Sequence, residues 1–286
     1  NMPPMPQVVT KIIQIDENNI DISSDELEAL IAVDPALTSK ILKIANSAFY
    51  ARTSKVSSLS QAITLLGFKT VKSLTLLVST AGLFPKNRSS IQVQREIWMR
   101  SVLGALIAKL LSEMISKRSL RDEAFMAALL RNIGQLLLHQ HSPDKYNQAF
   151  GAAEQGTNIS LLREKERELL DITAPEVSTF AMHKWNFPEE LQEAAAYPTL
   201  DLEPVKESGD MISALALGAE VIVFYQGLTE GARPTEEQQK GYESLFHQYA
   251  EYLEIPETKQ RYIQESLYDS IKKDSFYTFC EELFGM

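Results

Sequence analysis

The sequence predicts an all-α protein, and three observations carry that reading. Helix-start signals recur along the chain, and apolar residues fall at helical spacing after each of them. No Asn-Gly or Asp-Gly hairpin dipeptide and no sustained period-2 run competes.

The elements follow in order. Ser23 and Glu26 read as a capping box ahead of LEALIAV, the hydroxyl accepting from a first-turn amide and the glutamate reaching back. Asp34-Pro35 supplies a cap and a first-turn proline for ALTSKILKIANSAF, with Leu37, Ile41 and Leu42 as its apolar positions. In SLSQAITLLGFKTVKSLTL, Gly67 separates two helical patterns. The stretch LFPKNRSSIQ, residues 83–92, has connector composition, and a longer helix begins near Glu96 with Trp98, Val102, Leu106 and Leu110 in phase.

FMAALLRNIGQLLLHQH, residues 125–141, has the look of a buried helix, yet Arg131 and Asn132 sit in its middle. An unpaired guanidinium in a core costs several kcal/mol, so the arginine must be paired or exposed. Thr173-Ala174-Pro175 and Phe187-Pro188 open further helices, and prolines and acids interrupt the pattern over 196–210. ALALGAEVIVFYQG suits a helix packed tightly against others, GARPTEEQ is a third connector, and Ile255-Pro256 opens the last helical stretch.

Composition bounds the function. The 286 residues carry a formal charge of −10, so polyanions and anionic membranes are repelled unless basic residues gather on one face. The start NMPPMPQ lacks the basic and apolar segments of a signal peptide, and no run reaches the roughly 18 apolar residues of a spanning helix. The one cysteine, Cys280, cannot form an intramolecular disulfide and reads as a small buried hydrophobe. A cytoplasmic protein is the expectation.

Three groups of blocks carry a family resemblance. PPMPQVVTKIIQI, IAVDPALTSKILKIANSAFY and KVSSLSQAITLLGFKTVKSLTL come first. WMRS with EAFMAALLRNIGQLLL is the second group, and ELLDITAPEVSTFAMHKWNFPEELQEAAAY the third. Together, over about residues 2–199, they resemble the HDOD domain of bacterial signalling proteins, a family related to the HD phosphohydrolases. The resemblance implies an N-terminal helical subdomain over 2–85, a degenerate HD-like helical core over 90–200, and C-terminal helices over 205–286 that form a docked extension or a small separate subdomain.

In the HD enzymes the run written here as LLRNIGQ reads approximately LLHDIGK, and its adjacent His and Asp bind a catalytic metal. Arg131 and Asn132 occupy those two positions. By the same resemblance the upstream histidine falls on Arg100, the one within DITAPEV on Ala174, and the downstream pair on Pro198 and Thr199. Arginine has no lone pair to give. At about 4 Å from a dication, and an effective dielectric of about 20, it would be repelled by about 8 kcal/mol. No metal, no cofactor and no catalytic residue is therefore expected.

Other readings stand beside this one. Arg100 and Arg131, with Asn132, could clasp a small anion or nucleotide in a remnant pocket, or each arginine could pair with a carboxylate such as Glu96 or Glu123. His139 and His141 point to different faces of a helix and suit no common metal, while His183 and His247 are isolated. Trp98 and Trp185 read as core residues before interface anchors. Gly67 with Lys69 and Lys72 raises a helix-turn-helix, but two lysines on an acidic chain make a weak footprint, so nucleic acid is disfavoured.

The expected function is a non-enzymatic regulatory module that binds other signalling proteins, with a small anionic ligand as a further candidate. No receiver, kinase or cyclase segment lies within the 286 residues, so input is expected through association or a ligand. The alternative is a residual metal-dependent phosphohydrolase acting on a nucleotide or cyclic dinucleotide.

Overall fold

Every regular element among the described residues is helical in the computed structural model, which describes residues 11–12, 15, 20–46, 56–81, 91–229, 233–273 and 277. The chain divides into two compact units, one of Asn1–Pro85 with Lys273–Phe284, the other principally Lys86–Lys272. Cys280, NMPPMPQ and most of the 83–92 connector lie outside the described residues.

In the first unit α1 (Ile20–Ala32), α2 (Pro35–Ala45), α3 (Leu59–Leu66) and α4 (Phe68–Ala81) all pack on one another. Leu27, Ile31, Leu37, Ile41, Ala62 and Val71 are buried between them. The helix begins at Ile20, so Ser23 lies inside α1 rather than at its cap. The Asp34 cap is formed, its carboxylate accepting from Ala36 N at 2.9 Å and Leu37 N at 3.1 Å. Ser58 caps α3 by accepting from Gln61 N at 3.1 Å, and Gln61 Oε1 accepts from Ser57 N at 2.8 Å. Asn46 ties the end of α2 to Val56, donating to its carbonyl and accepting from its amide at 2.8 Å each. Gly67 stops α3 with a φ of +87°, which a side chain would resist.

The second unit is built round α5 (Ile91–Met114), α6 (Arg121–Leu130) and α13 (Met211–Tyr225), each packed on the other two. A 3-10 turn over Arg118–Leu120 precedes α6. Between α6 and α13 run α7 (Ile133–His141), α8 (Pro143–Ala152), α9 (Ile159–Leu170), α10 (Ala174–Lys184), α11 (Glu189–Ala196) and the short α12 (Glu203–Ser208), which falls within the proline-rich break. After α13 come α14 (Glu236–Tyr252), α15 (Glu257–Glu265) and α16 (Leu267–Lys272). None of the described helices is long and apolar enough to cross a membrane.

Helix α13 is buried from Ser213 to Phe224, as its small apolar residues require. Trp98 and Val102 are buried, whereas Leu106 and Leu110 are half-buried. The single stripe expected on α5 is replaced by burial that extends well beyond it, since α5 packs on both α6 and α13. Trp185 is buried as well. The capping box at Thr173 and Glu176 is present, and a second one, Thr235 with Gln238, starts α14.

One close approach positions the site. A Cβ on Gly134 would lie 2.0 Å from the Ala174 carbonyl oxygen and 2.7 Å from Ser178 Oγ. Only glycine lets the start of α7 press against the start of α10. Ser178 Oγ accepts from Gly134 N at 2.8 Å and donates to the Arg131 carbonyl at 3.0 Å, which locks the residues before α7 in place.

Candidate functional site

Arg131 and Asn132 form the two-residue junction between α6 and α7. Every residue from Ala124 to His139 is buried, so the junction's side chains point into protein. Arg131 is paired there: its Nε donates to Glu220 Oε2 at 2.5 Å, and Nη1 donates to the carbonyls of Ala194 at 3.2 Å and Tyr197 at 3.4 Å. Asn132 Nδ2 reaches Glu220 Oε1 at 3.3 Å. The carboxylate that pairs with Arg131 is thus Glu220 on α13, rather than Glu96 or Glu123.

Burial alone would raise the Glu220 carboxyl. The charges of Arg131 and Arg100, with the hydrogen bonds from Arg131 and Asn132, outweigh it and hold the group below the ordinary carboxylate range. It is an ionised acid among cationic and amide donors.

The network continues. Asn132 Oδ1 accepts from Gln135 Nε2 at 2.8 Å, and Gln135 Oε1 accepts from the Tyr146 hydroxyl at 3.0 Å. That hydroxyl lies 3.4 Å from Glu166 Oε1, which Arg163 Nη1 grips together with Oε2 at 2.6 Å. Glu166 also accepts from Ala174 N at 2.8 Å, and Arg163 Nε donates to the Pro198 carbonyl at 3.2 Å. Burial and then the Glu166 charge raise the Tyr146 hydroxyl well above its ordinary value, so it stays a proton donor.

One buried network therefore joins two ion pairs and passes through Arg131, Asn132, Ala174 and Pro198. These are four of the positions that the likeness to the HD enzymes singled out. Ala174 takes part through its amide and Pro198 through its carbonyl.

Arg100 is fully buried but makes different contacts. Nη1 donates to the Gly156 carbonyl at 3.0 Å, and the guanidinium carbon sits 4.7 Å from the Phe224 ring centre and 5.9 Å from that of Phe150. Glu96 is 3.9 Å away, at the limit of an ion pair. Arg100 acts on Glu220 by its charge, and its hydrogen bond goes elsewhere. Arg131 and Asn132 share one carboxylate, while Arg100 braces a neighbouring turn.

A metal does not fit this donor set. The guanidinium fills the centre and offers no lone pair, Asn132 spends its oxygen on Gln135, and Ala174 presents an N–H. Among the described residues no group of three or more His, Cys, Asp or Glu is placed to hold a metal ion. His139 is buried between Gln94 Nε2 at 3.3 Å and Asn147 Oδ1 at 3.1 Å. Burial lowers its pKa, partly opposed by the Asn147 bond. His141, His183 and His247 are exposed.

The profile of the HDOD domain matches residues 2–199. The chain belongs to the HDOD family. Its structure is similar to that of an HDOD domain protein of unknown function from Geobacter sulfurreducens, at 20% identity and TM-score 0.74, covering 100% of this chain and 94% of that one. A Marinobacter aquaeolei protein named for signal transduction matches at 22% identity and TM-score 0.75, over 100% of this chain and 60% of that one. A Shewanella amazonensis protein named as a phosphohydrolase matches at 19% identity and TM-score 0.71, over 99% and 95%. At these identities the likeness is one of fold. An uncharacterized protein of Treponema pallidum is 22% identical over 232 residues, which are 79% of this chain and 43% of that protein. The HDOD chain spans less than half the length of that relative.

Two residues of the site escaped the sequence reading. Glu220 stands in the apolar run ALALGAEVIVFYQG, whose overall character masks it, although one acid amid buried small residues is itself a signal that a cation lies opposite. Glu166 sits in the charge-rich ISLLREKERELL, where nothing separates it from its solvated neighbours except the helical phase it shares with the buried Leu162 and Arg163.

Proposed function

We propose that this HDOD chain is a non-enzymatic regulatory module of signal transduction that works by binding another protein. The observation that carries the reading is the Arg131 guanidinium, seated where the related enzymes place a metal ligand and held by Glu220 at 2.5 Å. Hydrolysis of a phosphoester by a bound metal needs several lone-pair donors and an open position for water. A paired cation and a filled hydrogen-bond network offer neither. The fold shared with a protein named for signal transduction supports the regulatory half of the reading.

The fold is also shared with a protein named as a phosphohydrolase, so the test must separate the two. Purified chain supplied with manganese or iron is assayed against nucleotides and cyclic dinucleotides, and its metal content is measured. No turnover and no stoichiometric metal are expected. Turnover that disappears in Arg131→Ala would overturn the reading. Affinity capture from the native cell, compared with capture by a denatured control, is expected to recover a specific protein partner. The cytoplasm is the proposed compartment, and nucleic acid is not proposed as a partner because the charge is −10.

A further inference from the structure

A cleft on the second unit is built differently from the filled centre. A strained turn precedes its first wall residue, Thr157: Glu154, Gln155 and Gly156 follow one another with φ of +53°, +57° and +74°. Residues with side chains adopt that region at a cost, and such strain persists only where surrounding contacts fix it. Here Arg100 donates to the Gly156 carbonyl at 3.0 Å, Thr157 Oγ1 donates to Glu154 O at 2.9 Å, and the Tyr242 hydroxyl donates to the Thr157 carbonyl at 2.5 Å. The fully buried cation thus holds the turn that leads to Thr157, the first residue of the cleft wall.

Next to that turn the first turn of α9, residues 199–201 and α14 border an open cleft of about 380 Å³. That volume is in the range of small-molecule sites, which run from about 300 to 1,000 Å³. The lining chemistry is specific. Ile159, Leu200 and Leu245 bring apolar faces; Ser160, Thr199 and Ser244 bring hydroxyls, Asn158 and Gln248 bring amides, and Asp201 is the one charged group on the wall, with Thr199 donating to Asp201 at 2.7 Å and Gln248 to Ser244 at 3.4 Å. No lysine, arginine or histidine lines it, so nothing there balances a phosphate. Asn158 spends only its oxygen on capping α9, by accepting from Leu161 N at 3.1 Å, which leaves its NH2 donors. Gly241 sits on the wall of α14, and a Cβ there would meet nothing within 4 Å.

We propose that this cleft binds a small uncharged polyol of monosaccharide size. Such a ligand offers several hydroxyls, each both donor and acceptor, which is what a wall of hydroxyls, amides and one carboxylate satisfies. An anion of the same size meets Asp201 with no compensating cation. A ligand bonded to the α9 turn, to residues 199–201 and to α14 would fasten three separate stretches of chain. The site goes beyond protein binding by giving the module an input of its own.

Calorimetric titration of the full chain tests this with glucose, galactose and myo-inositol at millimolar concentration, and with the phosphate ester of whichever binds. At least one neutral probe is expected to bind, and its phosphate ester about tenfold more weakly or worse. Gly241→Leu starts a side chain on the cleft wall where a Cβ meets nothing within 4 Å, and is expected to weaken binding by about tenfold, with the far-ultraviolet circular dichroism unchanged. Asp201→Asn, which keeps the shape, is expected to weaken it too. No binding by any neutral probe, tighter binding of the phosphate ester, or full affinity in both variants would each overturn the proposal.

Discussion

Arg131 and Glu220 stand 89 positions apart and meet at 2.5 Å, both nearly inaccessible to solvent. The other carboxylate oxygen is taken by Asn132 at 3.3 Å, so adjacent residues at one helix junction hold both oxygens of one acid. A buried pair of this kind contributes little against a well-packed apolar pair, yet removing one partner strands the other charge. Glu220→Ala is expected to cost about 3–5 kcal/mol in urea unfolding. The double variant Arg131→Met with Glu220→Leu should recover much of that loss. If the single variant loses less than about 1 kcal/mol, the pair is not desolvated as described.

Two buried groups set the response to acid. Burial lowers the pKa of His139, so below about 6.5 the unfolded chain takes the proton first, and stability falls until the folded value is passed. Glu220 is also lowered: its contribution is whole above the unfolded carboxylate value of about 4.3 and disappears as pH falls through its own value. Stability measured across pH should therefore fall in two steps. His139→Gln should remove the first, and Glu220→Gln should shrink the second, to which Glu176, held low chiefly by its bond from Arg167, also contributes. A flat profile in wild-type protein between pH about 6.5 and the onset of carboxylate titration would contradict the burial of His139.

The fold was legible where local chemistry writes it. Asp34, Thr173 and Pro188 announced helix starts that the structure forms, because a cap bond or a proline constraint spans only a few residues. Ser23 misled because a serine three residues before a glutamate also occurs inside a helix, and α1 starts at Ile20. Arg131 and Asn132 were visible as polar residues in an apolar run. Their partner was not, since an ion pair across 89 positions leaves no periodicity to read. The braced turn at Gly156 was hidden for the same reason: what holds it is Arg100, 56 positions upstream.

Two glycines should respond in opposite directions. Gly134→Ala places a methyl 2.0 Å from the Ala174 oxygen, so α7 and α10 must separate and the Ser178 bridge is disturbed. A loss of about 1–3 kcal/mol is expected. Gly241→Ala meets nothing within 4 Å in the interior of α14 and should gain up to about 1 kcal/mol from helix propensity. Chemical unfolding of both variants decides the matter, and equal effects would contradict the close approach at Gly134.

Metal dependence separates the proposed regulatory module most sharply from a hydrolase of the same fold. A resident metal that binds only the folded state raises Tm, and its removal lowers it. Here the Arg131 cation already occupies the junction and Glu220 already neutralises it. Excess chelator is expected to leave Tm unchanged, and added manganese should not raise it. Restoring the dipeptide with Arg131→His and Asn132→Asp returns two donors but leaves Arg100 and Ala174, while Glu220 loses its cation. That variant should be less stable than wild type by about 3–5 kcal/mol and still free of stoichiometric metal by elemental analysis. Tight metal binding by the variant with full stability would mean that the junction tolerates a metal centre after all.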